Sequence, residues 1–252
     1  MTENLAQSAV SLERESLTHE CWSCGDMRAA HFCSSCGKVQ APVPSNYFTF
    51  FGLTRRLNID LKQLEREFYS LSRKLHPDAN SQGTDREQEW SLEMTSLLND
   101  AYRTLREPIA RTEYLLGLEG VNFDDQSKAA SDAARASGQT KKQIVPPDLL
   151  EEVFELNMQL EEARANKQGG DEDPNLLREL QKTRAMLDEK STALMDELHA
   201  AWNAWDALLD GERKGGVNLE GRQRLLKKMV DLLNRRTYLR NLVRDVNEVL
   251  GI

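Results

Sequence analysis

The sequence predicts an all-α protein, and three observations carry that expectation. Two amphipathic segments flank a proline at position 77 and read as a helical hairpin. Three longer periodic segments, parted by glycine pairs, fill the last hundred residues and read as a three-helix bundle. All four cysteines fall within a short N-terminal stretch, which sets a small knuckle-like module apart from the helices. The divisions expected are 1–17 disordered, 18–45 cysteine module and linker, 46–120 hairpin domain, 121–145 flexible linker and 146–252 C-terminal helical domain.

Composition narrows the class of protein first. Of the 252 residues, 29% are charged, and no uncharged apolar run approaches the ~20 residues needed to cross a bilayer. Basic residues number 33 against 41 acidic, a net charge of −8 that argues against a general nucleic-acid binder, since phosphate contacts need clustered Lys and Arg. The first twenty residues hold Glu3, Glu13, Glu15 and Glu20 against a single Arg14, unlike a secretory or organelle signal, so a cytoplasmic protein is expected.

The cysteine module reads Cys21-Trp22-Ser23-Cys24-Gly25, then Cys33-Ser34-Ser35-Cys36-Gly37. A two-residue gap lets paired sulfurs turn toward one ion, and the glycines allow the positive φ such a knuckle needs. Four thiolates suit structural zinc, with no position left open for catalysis. Disulfides would suit a secreted chain, and a redox dithiol belongs beside a βαβ pattern, which is absent. A rubredoxin-like iron site uses the same ligands and stays open as an alternative. His19 and His31 are read as bystanders.

Asn58-Ile59-Asp60 offers an N-cap, and Leu61, Leu64, Phe68, Leu71 and Leu75 then form one apolar stripe. Lys62, Arg66 and Arg73, with Lys74 beside them, lie on another face; a basic stripe is in most proteins only a solvated face. Proline disfavours α geometry in the residue before it, so the helix is expected to end near His76, leaving His76-Pro77-Asp78 on an exposed loop. A second helix follows, with Trp90, Met94, Leu97, Leu98, Ala101, Tyr102 and Leu105 as its packing face.

Two helices joined by His76-Pro77-Asp78, with a short helix in front, resemble the J-domain of DnaJ-type co-chaperones. The run from Leu98 to Pro108, Arg111 to Leu116, and the entrance Tyr47-Phe48…Phe51-Gly52-Leu53 are similar to the HscB family of J-proteins in iron–sulfur cluster biogenesis. Some members also carry an N-terminal tetracysteine module. The resemblance implies a J-domain hairpin whose His76, Pro77, Asp78, Lys62, Arg66, Arg73 and Lys74 dock a DnaK- or HscA-type ATPase chaperone. Ala79-Asn80 departs from the Lys or Arg that usually follows in that family, and Glu151 stands where relatives often carry an apolar residue.

From Asp124 to Gln143 an Ala/Ser/Asp/Gln mixture without aromatics reads as a solvated insertion. Helices are then expected over about 147–167, 174–210 and 217–250. The first carries two apolar stripes. Leu149, Val153, Leu156 and Leu160 suffice for packing inward, while Leu150, Phe154 and Met158 form a second strip bordered by Glu151, Glu152, Glu155, Glu161 and Glu162. An extra strip of this kind suits a partner, unless the bundle wraps round and buries both. By the HscB resemblance, Leu150, Phe154, Glu155 and adjacent Met158, with Tyr238 on the last helix, are implied to dock an IscU-type scaffold. His199 and the pair Trp202/Trp205 are read as packing.

No phosphate loop, dinucleotide fingerprint, nucleophile elbow or HExxH motif occurs, so catalysis by the chain itself is not expected. The leading expectation is a co-chaperone that stimulates its partner's ATPase and delivers the scaffold. The competing readings are a general J-protein for unfolded clients and a zinc- or redox-sensing interaction protein.

Overall fold

In a computed structural model of the chain, residues 18–27, 30–121, 150–170 and 173–252 are described. The expected disordered N-terminus and residues 122–145 of the expected linker lie outside them. Among the described residues there are seven α-helices and no strand: α1 (Tyr47–Phe50), α2 (Leu61–Leu75), α3 (Asp85–Arg106), α4 (Pro108–Leu118), α5 (Leu150–Gly169), α6 (Pro174–Gly215) and α7 (Leu219–Leu250). A 3-10 turn, Pro77–Asn80, lies between α2 and α3. None of these helices is long and apolar enough to cross a membrane.

The chain divides into two compact units, Met1–Glu119 with Trp205–Leu219, and Gly120–Ala204 with Glu220–Ile252. In the first, α2 and α3 pack as the expected hairpin. Asp60 caps α2 by accepting from the N–H groups of Lys62 (2.9 Å) and Gln63 (3.1 Å), which satisfies two of the helix's orphan donors. Leu64 and Leu75 from α2 and Met94, Leu98, Ala101 and Leu105 from α3 are fully or almost fully buried. Each such leucine or methionine side chain removed from water contributes about 1.5–3 kcal/mol. Phe68 stacks on Tyr102, ring centroids 4.1 Å apart.

Helix α4 begins with Pro108 at a first-turn position, where the missing N–H costs nothing. It returns Leu115 and Leu116 to the core and sets Tyr114 against α1: the Tyr114 hydroxyl accepts from the Tyr47 N–H at 2.9 Å, and the two rings stack. The last turns of α6 complete this unit. Asp206, 7% exposed, accepts from the N–H groups of Leu57 (2.9 Å) and Asn58 (3.0 Å) and from the Asn58 amide (2.9 Å). Trp205, fully buried, donates from Nε1 to the Arg55 carbonyl. The turn that launches α2 is thus held by residues from a distant part of the sequence.

The second unit is built from long apolar seams. Val153, Leu156, Leu160 and Ala163 on α5 recur at steps of three and four and are buried. Leu180, Leu187, Leu194 and Ala201 on α6 repeat every seven residues, and Leu239, Leu242, Val246 and Val249 line α7. This is the spacing by which helices interdigitate in bundles and coiled coils. Arg184–Asp188 and Lys182–Glu179 pairs lie on the surface, where each contributes ~0–1 kcal/mol.

Candidate functional site

The two cysteine pairs fold as a repeated knuckle. In the first, the Cys21 N–H donates to the Asp26 carbonyl (2.8 Å) and the Gly25 N–H to the Cys21 carbonyl (2.9 Å). In the second, the same bonds join Cys33 to Lys38 (3.0 Å) and Gly37 to Cys33 (2.9 Å). Gly25 and Gly37 sit at φ of 75° and 71°, the left-handed region that closes each knuckle. An antiparallel bridge between Phe32 and Val39 closes the base of the second knuckle, and a hydrogen bond from Trp22 Nε1 to the Val39 carbonyl (2.8 Å) draws the halves together.

The four sulfurs lie within 4.8 Å of one another, with Cys21–Cys36 at 3.7 Å and Cys24–Cys33 at 3.5 Å. Four sulfurs held ~2.3 Å from one tetrahedral ion would stand roughly 3.8 Å apart, so the cluster fits a metal. Its electrostatics point the same way. Burial opposes ionisation of Cys21, but N–H groups of Cys24 and Ser23 outweigh it and pull the thiol down to about 6. For Cys24 the Asp26 N–H favours the thiolate, yet the Cys33 sulfur and burial push it up to about 12. A cation bound among the sulfurs would supply the charge that balances thiolates crowded this closely. Gln40, fully buried, adds an amide N–H on Cys21 Sγ at 3.5 Å while its Oε1 has no hydrogen-bond partner. His31 is turned away, its Nε2 on the Phe50 carbonyl at 2.9 Å, and burial lowers its imidazole's pKa.

The His-Pro-Asp loop follows from local chemistry. His76 ends α2 with ψ of 134°, the extended geometry proline imposes on its predecessor. Its Nδ1 accepts the Asp78 N–H (3.2 Å), and its carbonyl accepts from Ala79 (3.0 Å). Asn80 then staples the loop: its amide donates to the carbonyls of Lys74 (2.8 Å) and His76 (3.1 Å) and to Ser91 Oγ (3.1 Å) on α3. Ser91 and Thr95 both donate to the Leu75 carbonyl, so the end of α2 is satisfied by side chains of α3. His76, Asp78, Lys62, Arg66, Arg73 and Lys74 are all exposed, and Pro77 is half-buried. The sequence reading missed Asn80, Ser91 and Thr95. Asn80 belongs to the Ala79-Asn80 pair noted as departing from the Lys or Arg that usually comes directly after His-Pro-Asp, and the signal for its role was the habit of Asn to bond locally at helix ends.

In the second unit, Phe154 and Met158 keep 68% and 60% of their surface, and Glu155 is exposed beside them. Among the described residues the bundle buries Val153, Leu156 and Leu160 of the first stripe and leaves Phe154 and Met158 of the second outside; Leu149 of the first stripe lies outside the described residues. Leu150 opens α5, and its side chain lies outside what is described. Tyr238 is not on that surface: it is 6% exposed on α7, and burial raises its phenol's pKa. His199 makes an edge contact with Trp202, centroids 4.7 Å apart, and Trp202 is buried, in keeping with packing roles.

The site thus comprises a helical hairpin closed by His-Pro-Asp, a four-thiol cluster placed to hold a metal ion, and a helical bundle with an exposed apolar strip. Comparison with known proteins is specific. The chain is 31% identical over 157 residues to the mouse iron–sulfur cluster co-chaperone protein HscB, covering 60% of this chain and 61% of that one. It is 31% identical over 180 residues to the Arabidopsis thaliana HscB homolog, covering 62% and 65%. The crystal structure of human co-chaperone protein HscB superposes with a TM-score of 0.57 at 23% identity, over 90% of this chain and 96% of that one, which establishes the shared fold. No family model matches the sequence. Over the matched stretch the chain is similar to the HscB co-chaperones, and it spans 61–65% of the length of these two curated relatives.

Proposed function

We propose that the chain is a co-chaperone of iron–sulfur cluster assembly. It would stimulate ATP hydrolysis by a DnaK/HscA-type chaperone and deliver an IscU-type scaffold to it. The observation that carries this reading is the exposed, side-chain-stapled His76-Pro77-Asp78 loop at the end of a helix with an exposed basic face. In this reading His76, Pro77, Asp78, Lys62, Arg66, Arg73 and Lys74 meet the chaperone. Phe154, Met158 and Glu155, continued by Leu150, meet the scaffold. Tyr238, implied by the resemblance as a further scaffold contact, is buried and acts as a support for its own helix.

The chemistry is tethering. A scaffold held by one unit raises its effective concentration at a chaperone engaged by the other, with no new contact between the two partners. Cys21, Cys24, Cys33 and Cys36 are assigned to structural zinc, which leaves no ligand position for a substrate. Four thiols facing one point also suit a reducing compartment, the cytoplasm in this reading, because elsewhere they would pair as disulfides.

Single-turnover ATP hydrolysis by the cognate chaperone tests the proposal. Stimulation that rises further when the scaffold is added is expected. Stimulation indifferent to scaffold would reduce the chain to a general J-protein, and none at all would overturn the reading.

A further inference from the structure

The tetracysteine module does not hang free of the hairpin; it touches the hairpin unit at three places. Lys38 Nζ lies 2.9 Å from Glu87 at the start of α3. Trp22 meets Trp90 edge-on, centroids 5.9 Å apart, with the Arg86 guanidinium 5.4 Å over the same ring. His31 reaches the Phe50 carbonyl of α1.

The first contact sits where the loop ends. Lys38 is two residues past Cys36, and its carbonyl closes the second knuckle, so the backbone at Lys38 is placed by the sulfur cluster. Glu87, 3% exposed, is the N3 residue of the capping box that starts α3: its carboxylate accepts from the Thr84 N–H (2.8 Å) and hydroxyl (3.0 Å). Gly83, which a Cβ would bring to 3.1 Å from the Asn80 carbonyl and from Glu87 Cβ, lets the return limb of the loop lie directly on that side chain. A carboxylate this enclosed loses much if its cation leaves, unlike a surface pair.

We propose that the metal-loaded tetracysteine module is a strut for the His-Pro-Asp loop, with Lys38 and Glu87 as the positioning pair that transmits it. Metal at Cys21, Cys24, Cys33 and Cys36 fixes Lys38; Lys38 fixes the Glu87 carboxylate; and Glu87 fixes the turn that brings the loop back into α3. The inference rests on the metal reading of the four thiols and not on the identity of any chaperone. Coupling of this kind is reciprocal, so the intact hairpin must in turn tighten metal binding by the same factor.

The test follows amide hydrogen exchange at residues 81–90 in the full chain, with Zn²⁺ bound and after chelation, for the wild type, Lys38→Met and Glu87→Gln. Gln still serves the capping box at N3, so Glu87→Gln removes the charge while sparing the helix start. In the wild type, chelation is expected to speed exchange at Thr84–Trp90 by about fivefold or more, the lower end of ordinary coupling, while amides at Leu98–Leu105 are unaffected. In both variants that metal dependence disappears. Zn²⁺ affinity, measured by chelator competition, falls by the same factor, and the Co²⁺–thiolate spectrum is unchanged. The strut is overturned if chelation leaves residues 81–90 as they were, if Glu87→Gln responds like the wild type, or if no Co²⁺–thiolate spectrum develops. Failure of chaperone stimulation with the exchange coupling intact would remove the proposed function and leave the strut standing.

Discussion

The two units are held by different physics. The hairpin unit relies on directional contacts at named atoms: Asp206 on two backbone N–H groups, Asn80 on two carbonyls, Glu87 between Thr84 and Lys38, and four sulfurs around one point. The bundle relies on heptad-spaced leucines whose burial has no preferred direction, with ion pairs left at the surface. A loop that must present a histidine and an aspartate in one pose needs the first kind of support, because a residual rotation about a greasy core would move both. An exposed strip such as Phe154 and Met158, a docking surface in the proposed function, needs only that its helix stay put, which the seam provides.

The comparison can be broken hardest at the sulfurs. Cys33→Ser, or chelation, withdraws metal-binding free energy on the order of 10 kcal/mol from a module with almost no apolar core of its own. The expected result is loss of the module's dispersed amide resonances with those of the bundle unchanged. Leu98→Ala should cost the hairpin unit about 2–5 kcal/mol, since Leu98 is fully buried, and Leu180→Ala should cost the bundle as much in a separate part of the denaturant transition. Asp206→Ala tests the directional side. It leaves the Leu57 and Asn58 N–H groups without their acceptor, at about 1–3 kcal/mol, and the loss should register in the hairpin unit although the residue lies on α6.

Acid sharpens the contrast. The Lys38 ammonium, first, and the Thr84 donors hold the Glu87 carboxyl below its ordinary value. A group with a depressed folded pKa lends stability that is whole above the unfolded value and fades as pH falls through the folded one. Exchange at residues 84–90 should therefore rise below about pH 4.5 in the wild type and show no such step in Glu87→Gln. The smallest effect on stability belongs to Phe154→Ser: a change within about 0.5 kcal/mol by chemical denaturation, because the ring is already in water.

Much of this architecture was legible because its signals are local. Proline at 77 dictated where α2 ends, and the Cys-x-x-Cys-Gly pairs dictated the knuckles. The stripe on α5 was legible in part: period alone separated Val153 from Phe154, but only packing decided which stripe stays outside. Three features were not legible. Helix α6 runs through Gly211 to Gly215, past the break expected near residue 210, because one glycine's cost is small within a 42-residue helix. Asp206 looks like any exposed helical acid in sequence, and only the turn at Leu57, some 150 residues earlier, gives it a role. Tyr238 fits an aromatic surface position by motif, yet the register of α7 turns it inward, where neighbouring Leu239 and Leu242 also lie.

In the proposed function the hairpin unit engages the chaperone and the bundle holds the scaffold, and a crossed measurement separates the two roles. Single-turnover ATP hydrolysis by the chaperone is followed with and without scaffold for the wild type, His76→Gln and Phe154→Ser. His76→Gln is expected to abolish stimulation while still binding scaffold, and Phe154→Ser to keep the stimulation seen without scaffold but lose the increment that scaffold adds. Normal stimulation by His76→Gln, or an undiminished scaffold increment with Phe154→Ser, would contradict the proposed function.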